Sequence, residues 1–169
     1  LRKQLWAQTI VQKIRNQAEV LLHQGLDRQY LLNLSNKVKS DDSGNAEATA
    51  SAYYWSHIFP DLPGFRRLRE GFPPNNLLNY GYAILRAIMA RSIVGAGLLP
   101  TLGIHHHNRY NAYCLADDLM EPYRPIVDLL VCKIVNTLGP PEFLEKEIKV
   151  ELLKIPTMDV SIGGSISPL

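Results

Sequence analysis

Between Leu102 and Asp128 the chain reads LGIHHHNRYNAYCLADDLMEPYRPIVD, which places three histidines and a cluster of carboxylates in one short span. Asp118 and Glu121 stand three apart, so on a helix their carboxylates project from one face. His105, His106 and His107 lie about a dozen residues upstream, far enough for a loop to fold an imidazole back onto that face. Three consecutive residues cannot all face one point, so at most one or two of them are ligands and the others are satisfied by hydrogen bonds or solvent. Glu47, in the first turn of a predicted helix where the dipole favours a carboxylate, is a further candidate. Glu47, one histidine, Asp118 and Glu121 together make a hard-cation set. Carboxylate oxygens suit Mg²⁺ and Mn²⁺, and Mn²⁺ tolerates a single imidazole. A cation held this way polarises a phosphodiester and activates an attacking oxygen. The competing reading is a solvated acidic turn beside surface histidines.

The elements that must position these groups read as helices. Trp6, Ile10, Ile14, Ala18 and Leu21 recur at helical spacing, with Gln, Lys and Arg between them, and Gly25 closes that helix. A second helix is predicted from about Arg28 to Lys39, with Leu31, Leu34 and Val38 on one side. SDDSGN, from Ser40 to Asn45, is a break that offers N-caps to a small-residue-rich third helix, Ala46 to about His57. Asn75 opens a long helix to about Ala96, punctuated by Pro74 and Gly97. Pro122 and Pro125 end one helical turn and start the next, fixing the carboxylates at a bend before a helix from about Tyr123 to Leu138. A last amphipathic helix spans about Glu142 to Leu153. Period-2 alternation is almost absent, so the chain is predicted to be all-α. Residues 1–153 form the helical domain, and the tail 154–169 is left unassigned.

At 169 residues the chain fits one domain with a sizeable core. Its 46% hydrophobic and 20% charged content excludes a highly charged disordered tail. A net charge of +2 is too small to argue for nucleic acid by itself, so a DNA surface has to be a local patch. Cys114 and Cys132 sit in apolar surroundings without a C-x-x-C pair, which points to reduced, packed thiols and a cytoplasmic compartment. No basic-then-apolar leader opens the chain. The most apolar stretch, Tyr80 to Leu99, carries Arg86 and Arg91, which favours a buried helix over a membrane span. The chain begins at Leu1 inside a helical pattern and reads as a piece of a longer protein.

Two further polar groups invite a role. Asn76, Asn79, Tyr80 and Tyr82 lie on a helix that is otherwise core, where they either brace the backbone or reach phosphates. Arg66, Arg67 and Arg69, with Lys37 and Lys39, are either solvated basic loops or phosphate contacts. Arg124, three residues after Glu121, suits an intrahelical ion pair as well as catalysis.

NNLLNYGYAIL, followed by GLLPTLGIHHHNRYNAYCLADDLMEPYRPIVD, resembles the catalytic core of the CRISPR-associated integrase, the nuclease subunit of the spacer-acquisition complex, in its type II form. KQLWAQTIVQKIRNQAEVL and NAEATASAYYW are similar to the upstream helices of that family, and the resemblance covers roughly Lys3 to Val135. By position it implies three ligands of Mg²⁺ or Mn²⁺: Glu47 at the NAEATA helix start, His106 in GIHH, and Glu121 in the MEP turn. Asp118 falls where the family often has an acidic residue and is implied as a ligand or its supporting partner, with Asp117 the competitor. Arg67, Asn76, Asn79 and Tyr80 match motif positions near the site and are implied as DNA or site supports. The resemblance also implies an activity: a 3′-hydroxyl of foreign DNA attacks a phosphodiester of the CRISPR repeat, inserting a spacer and giving antiviral defence. Its implied partners are duplex DNA (prespacer and repeat), a second copy of the full-length protein, and a small ferredoxin-like adaptation protein. The family's N-terminal β-rich domain has no counterpart before Leu1, so the resemblance is to the catalytic half alone, for which weak, nonspecific, metal-dependent cleavage is expected. Two rivals remain: a simple nuclease using water at the same site, and a non-catalytic helical DNA-binding or scaffold module whose acidic cluster binds no cation.

Overall fold

Among the described residues seven α-helices form the fold, and four of the other six pack against the first. The computed structural model describes residues 1–162 and 165–169. Helix α1 (Arg2–His23) buries Trp6, Ile10, Ile14, Ala18 and Leu21, the stripe its spacing predicts. Around it lie α2 (Gln29–Ser35), α3 (Ala46–His57), α5 (Cys114–Leu119) and α6 (Arg124–Leu138), with the 3₁₀ turn Glu121–Tyr123 docked on its side. Helix α4 (Asn75–Gly95) packs on α6, and α7 (Lys146–Leu152) covers both. Full burial of Ile10, Ile14 and Leu21 stabilises α1 in this central place by ~1.5–3 kcal/mol per side chain. Helices α4 and α6 approach so closely that a Cβ at Gly81 would collide with the Val127 side chain. A glycine here sets the spacing of the two helices.

The all-α architecture is as the sequence predicts, with three local differences. Helix α2 stops at Ser35 rather than Lys39, because the chain turns there into Ser40–Asp42, with Asp41, Asp42 and Asn45 at positive φ. The last helix starts at Lys146 rather than Glu142, after the Pro140–Pro141 pair and an extended Glu145. The tail holds an antiparallel hairpin, β1 (Asp159–Ile162) and β2 (Ser165–Pro168), with Val160 opposite Ser167. Ile155, just before it, is fully buried in the common core. Cys114 and Cys132 are both free and buried, and burial pushes the Cys132 thiol far above its usual range. Among the described residues no helix is long and apolar enough to cross a membrane.

Candidate metal centre and nucleic-acid groove

Glu47 is aimed by its helix start. The Asp42 carboxylate accepts the backbone N–H of Ala46 (2.9 Å) and of Glu47 (3.0 Å), satisfying two of the free donors at the α3 N-terminus. Glu121 opens the 3₁₀ turn that Pro122 forces between α5 and α6, and the Asn16 amide donates to the Pro122 carbonyl at 2.6 Å, docking that turn on α1. Between the two carboxylates stands Lys13, one helical turn before Asn16. Its ammonium donates to Glu47 Oε1 at 2.5 Å and lies 2.6 Å from Glu121 Oε2. Burial would lower the Lys13 pKa, but Glu121 and then Glu47 outweigh it and hold the pKa above its ordinary value. The Glu121 Oε2 contact is a buried ion pair. Glu121 Oε1 meets Arg124 Nε at 3.0 Å.

His106 and Asp118 form a second pair. Asp118 is fully buried, and the 103–106 loop wraps around it. Its Oδ2 accepts the N–H of Ile104 (2.5 Å) and His105 (2.9 Å). Its Oδ1 accepts the N–H of His106 (3.2 Å) and the His106 Nδ1 proton (2.5 Å). Gly103 is needed for this wrap, since a Cβ there would come within 3.0 Å of Asp118 Oδ2 and collide with the His106 carbonyl. Burial pushes the Asp118 carboxyl up, yet the His106 ring and the loop N–H groups hold it below the usual carboxylate range. The Asp118 hydrogen bond in turn raises His106, against the effect of burial. With four donors on two oxygens Asp118 has no lone pair to spare, so it orients His106 and leaves Nε2 of the ring available. The other histidines turn elsewhere. His105 stacks flat on Trp6 at 4.2 Å, and Nδ1 of His107 bonds to the His105 carbonyl.

The four predicted residues therefore come as two pairs, Glu47 with Glu121 and His106 with Asp118. Among the described residues no three carboxylate, imidazole or thiolate groups stand at the distances of a formed metal site. Lys13 fills the space between Glu47 and Glu121. Asp117 is clamped by Arg86 (2.6 and 3.0 Å) and by the Asn111 amide (2.6 Å).

His106 also faces an open groove of about 830 Å³ that Arg67, Arg69, Arg86 and Arg124 line. Arg67 is braced by Asn75 Oδ1 (3.0 Å) and Asn79 Oδ1 (2.7 Å), and the Asn79 amide donates to the Arg69 carbonyl at 2.6 Å. Arg67 and Arg124 both lie over the Tyr82 ring, 5.3 and 4.8 Å from its centre. Beneath them Tyr82 and Tyr54 donate to the two oxygens of Asp128 at 2.5 and 2.9 Å. Asn76 lies apart, donating to the Pro141 and Glu142 carbonyls and so tethering the segment after α6. Tyr80 is packed against the core and does not line the groove. Lys37 and Lys39 are exposed and do not line it either.

The sequence reading passes over Lys13, Tyr54, Asp128 and the Arg86 clamp on Asp117, although it singles out Tyr82 and the N-caps of the SDDSGN break. Lys13 had a signal: it flanks Ile14 on the buried arc of α1, and a lysine there needs an acidic partner.

The family model for "CRISPR associated protein Cas1" matches residues 2–154. The chain belongs to the Cas1 family. A "CRISPR-associated endonuclease Cas1" of Neisseria meningitidis is 40% identical over 164 residues, covering 96% of this chain and 53% of the relative. A Cas1 endonuclease of Pyrobaculum aerophilum is 41% identical over 95 residues, covering 55% of this chain and 32% of that protein. The chain thus spans about half the length of the Neisseria relative. Among solved structures, a Cas1 protein from Thermotoga maritima superposes with a TM-score of 0.79 at 20% identity, over 99% of this chain and 60% of that one. A casposase bound to integration product gives 0.70 at 23% identity, over 99% and 55%. These two show a shared fold.

Proposed function

We propose that this chain is the helical catalytic part of a metal-dependent Cas1 DNA endonuclease and integrase that inserts foreign-DNA spacers into a CRISPR array. The observation that carries the reading is the meeting of Glu47 and Glu121 on one cation, with His106 oriented by Asp118 beside an arginine-lined groove. The endonuclease name of the 40% identical Neisseria relative supports it.

The residues fit a hard divalent ion. The Lys13 ammonium between the two carboxylates occupies a place suited to positive charge, which supports the fit. An imidazole whose Nδ1–H is held by a carboxylate is the usual form of a ligating histidine. Glu47, His106 Nε2 and Glu121 would hold Mg²⁺ or Mn²⁺. When bound, the ion supplies Lewis-acid stabilisation of charge on the scissile phosphate and the leaving oxygen. The chain's own groups do the rest. Asp118 fixes the His106 tautomer and ring plane. Arg67, Arg69, Arg86 and Arg124 draw a phosphate backbone along the groove, and the Tyr82 ring keeps Arg67 and Arg124 side by side. A 3′-hydroxyl or a water attacks at the same place, so integration and hydrolysis use one site. Prespacer and repeat DNA, a second copy of the longer protein and the small ferredoxin-like adaptation protein are the partners this reading assigns.

Strand cleavage and half-site products are to be followed with prespacer duplex, repeat DNA and Mn²⁺. Products that need Mn²⁺ and disappear in Glu47→Ala and Glu121→Ala support the proposal. Absence of cation binding and of any Mn²⁺-dependent product favours a non-catalytic scaffold.

A further inference from the structure

The charges around Glu121 are already balanced without a divalent ion. Glu47 and Glu121 carry two negative charges between them. Lys13 and Arg124, each in contact with Glu121, carry two positive ones. The Lys13 side chain is nine-tenths buried and spans both carboxylates, whereas of these two Arg124 pairs with Glu121. A dication entering this cluster meets a neutral group with an ammonium at its centre. Both cations cannot sit between the same two carboxylates, since at these separations like charges repel by several kcal/mol even at an effective dielectric of about 20.

We propose that Lys13 is a built-in counter-cation that holds Glu47 and Glu121 together when no divalent ion is bound and competes with that ion for the same two carboxylates. This rests on the metal-binding reading above and adds to it a residue that acts against the ion rather than with it. In the metal-free protein Lys13 keeps the carboxylates from repelling each other and the α3 start docked on α1. On metal binding the flexible lysine stem swings its ammonium out from between them. A site guarded in this way fills only when the ion's gain exceeds that of the lysine, so affinity is traded for a stable metal-free fold.

The test compares Mn²⁺ binding by calorimetry, together with thermal unfolding, in wild type and Lys13→Met. The expected result is at least about tenfold tighter Mn²⁺ binding in the variant, with a lower melting temperature when metal-free and a larger rise on adding Mn²⁺. Lys13→Gln serves if the methionine variant does not fold. In wild type, the Lys13 Nζ resonance, protected from exchange by its two partners, should shift and lose that protection on Mg²⁺ saturation. Wild-type binding with unchanged or weaker affinity in the variants, or an Nζ signal indifferent to saturating Mg²⁺, overturns the competition and leaves Lys13 a structural tie. Absence of Mn²⁺ binding by wild type overturns the metal reading and this inference together.

Discussion

Glu121 and Asp128 lie on either side of the α6 N-terminus, both buried, and the chain meets their charges in opposite ways. Glu121 is faced by two cations, Lys13 and Arg124. Asp128 receives two phenol hydroxyls, from Tyr82 and Tyr54, and the nearest arginines lie over the Tyr82 ring instead of against its oxygens. Phenol donors satisfy the lone pairs but bring no charge. Burial therefore prevails over the hydrogen bonds, and the Asp128 carboxyl is pushed up to about 6. The same burial pushes both phenols well above their ordinary range. The difference separates two uses of a buried acid. Asp128 is a brace beneath the ring that aligns two groove arginines, whereas Glu121 belongs to a cluster built around positive charge.

Glu121→Ala should break the comparison most severely. It leaves Lys13 and Arg124 with one partner fewer in a buried setting, which costs on the order of 3 kcal/mol by denaturant unfolding. Mn²⁺-dependent cleavage should fall by more than about 100-fold, since a proposed ligand is lost outright. Wild-type cleavage in this variant would remove Glu121 from the site.

Asp128→Asn probes the other side. The folded carboxyl has its pKa raised to about 6 from 3.8, so between those values the folded protein holds a proton that the unfolded chain has released. Stability from this group is thus present at low pH and declines as pH rises through that window, by roughly 3 kcal/mol once pH 7 is reached. The asparagine variant does not ionise and should lose that decline. The expected signature is a stability gain over wild type that is larger at pH 7.5 than at pH 5. Parallel pH profiles of the two proteins would show that Asp128 does not titrate in this range.

A smaller effect is expected of Asp118→Asn. The amide turns one acceptor into a donor facing the loop N–H groups and the His106 ring. Mn²⁺ affinity should drop about 10- to 100-fold as the ring loses its orientation, with circular dichroism close to wild type. Smallest of all is Arg69→Ala, an exposed side chain on the groove rim. DNA binding should weaken uniformly across sequences, and the salt slope should fall by about one, as for one lost phosphate contact. An unchanged slope would place the DNA path elsewhere.

The periodic parts of the molecule were legible in the sequence. Helix α1 follows the apolar spacing from Trp6 to Leu21, and α3 and α4 begin at Ala46 and Asn75 as the SDDSGN break and Pro74 indicate. The hairpin was not read, although Asp159–Ile162 and Ser165–Pro168 alternate around a Gly-Gly pair. With four residues a side, the period-2 signal is short. At the site, the residue types and the His106–Asp118–Glu121 neighbourhood were visible in one segment. The sorting of Asp117 from Asp118 was not. It depends on Arg86 and on the 103–106 loop, contacts that close only when α4 and α5 pack. Lys13 was hidden for the same reason, since its two partners lie on α3 and on the turn before α6.

The central claim is that Glu47, His106 and Glu121 hold one divalent ion. Anomalous scattering from crystals grown with Mn²⁺ tests it most directly. The account predicts a single strong peak contacted by Glu47, Glu121 and His106 Nε2, with Asp118 still on Nδ1 and the Lys13 ammonium displaced. A peak elsewhere, or none while Lys13 still bridges Glu47 and Glu121, would contradict it.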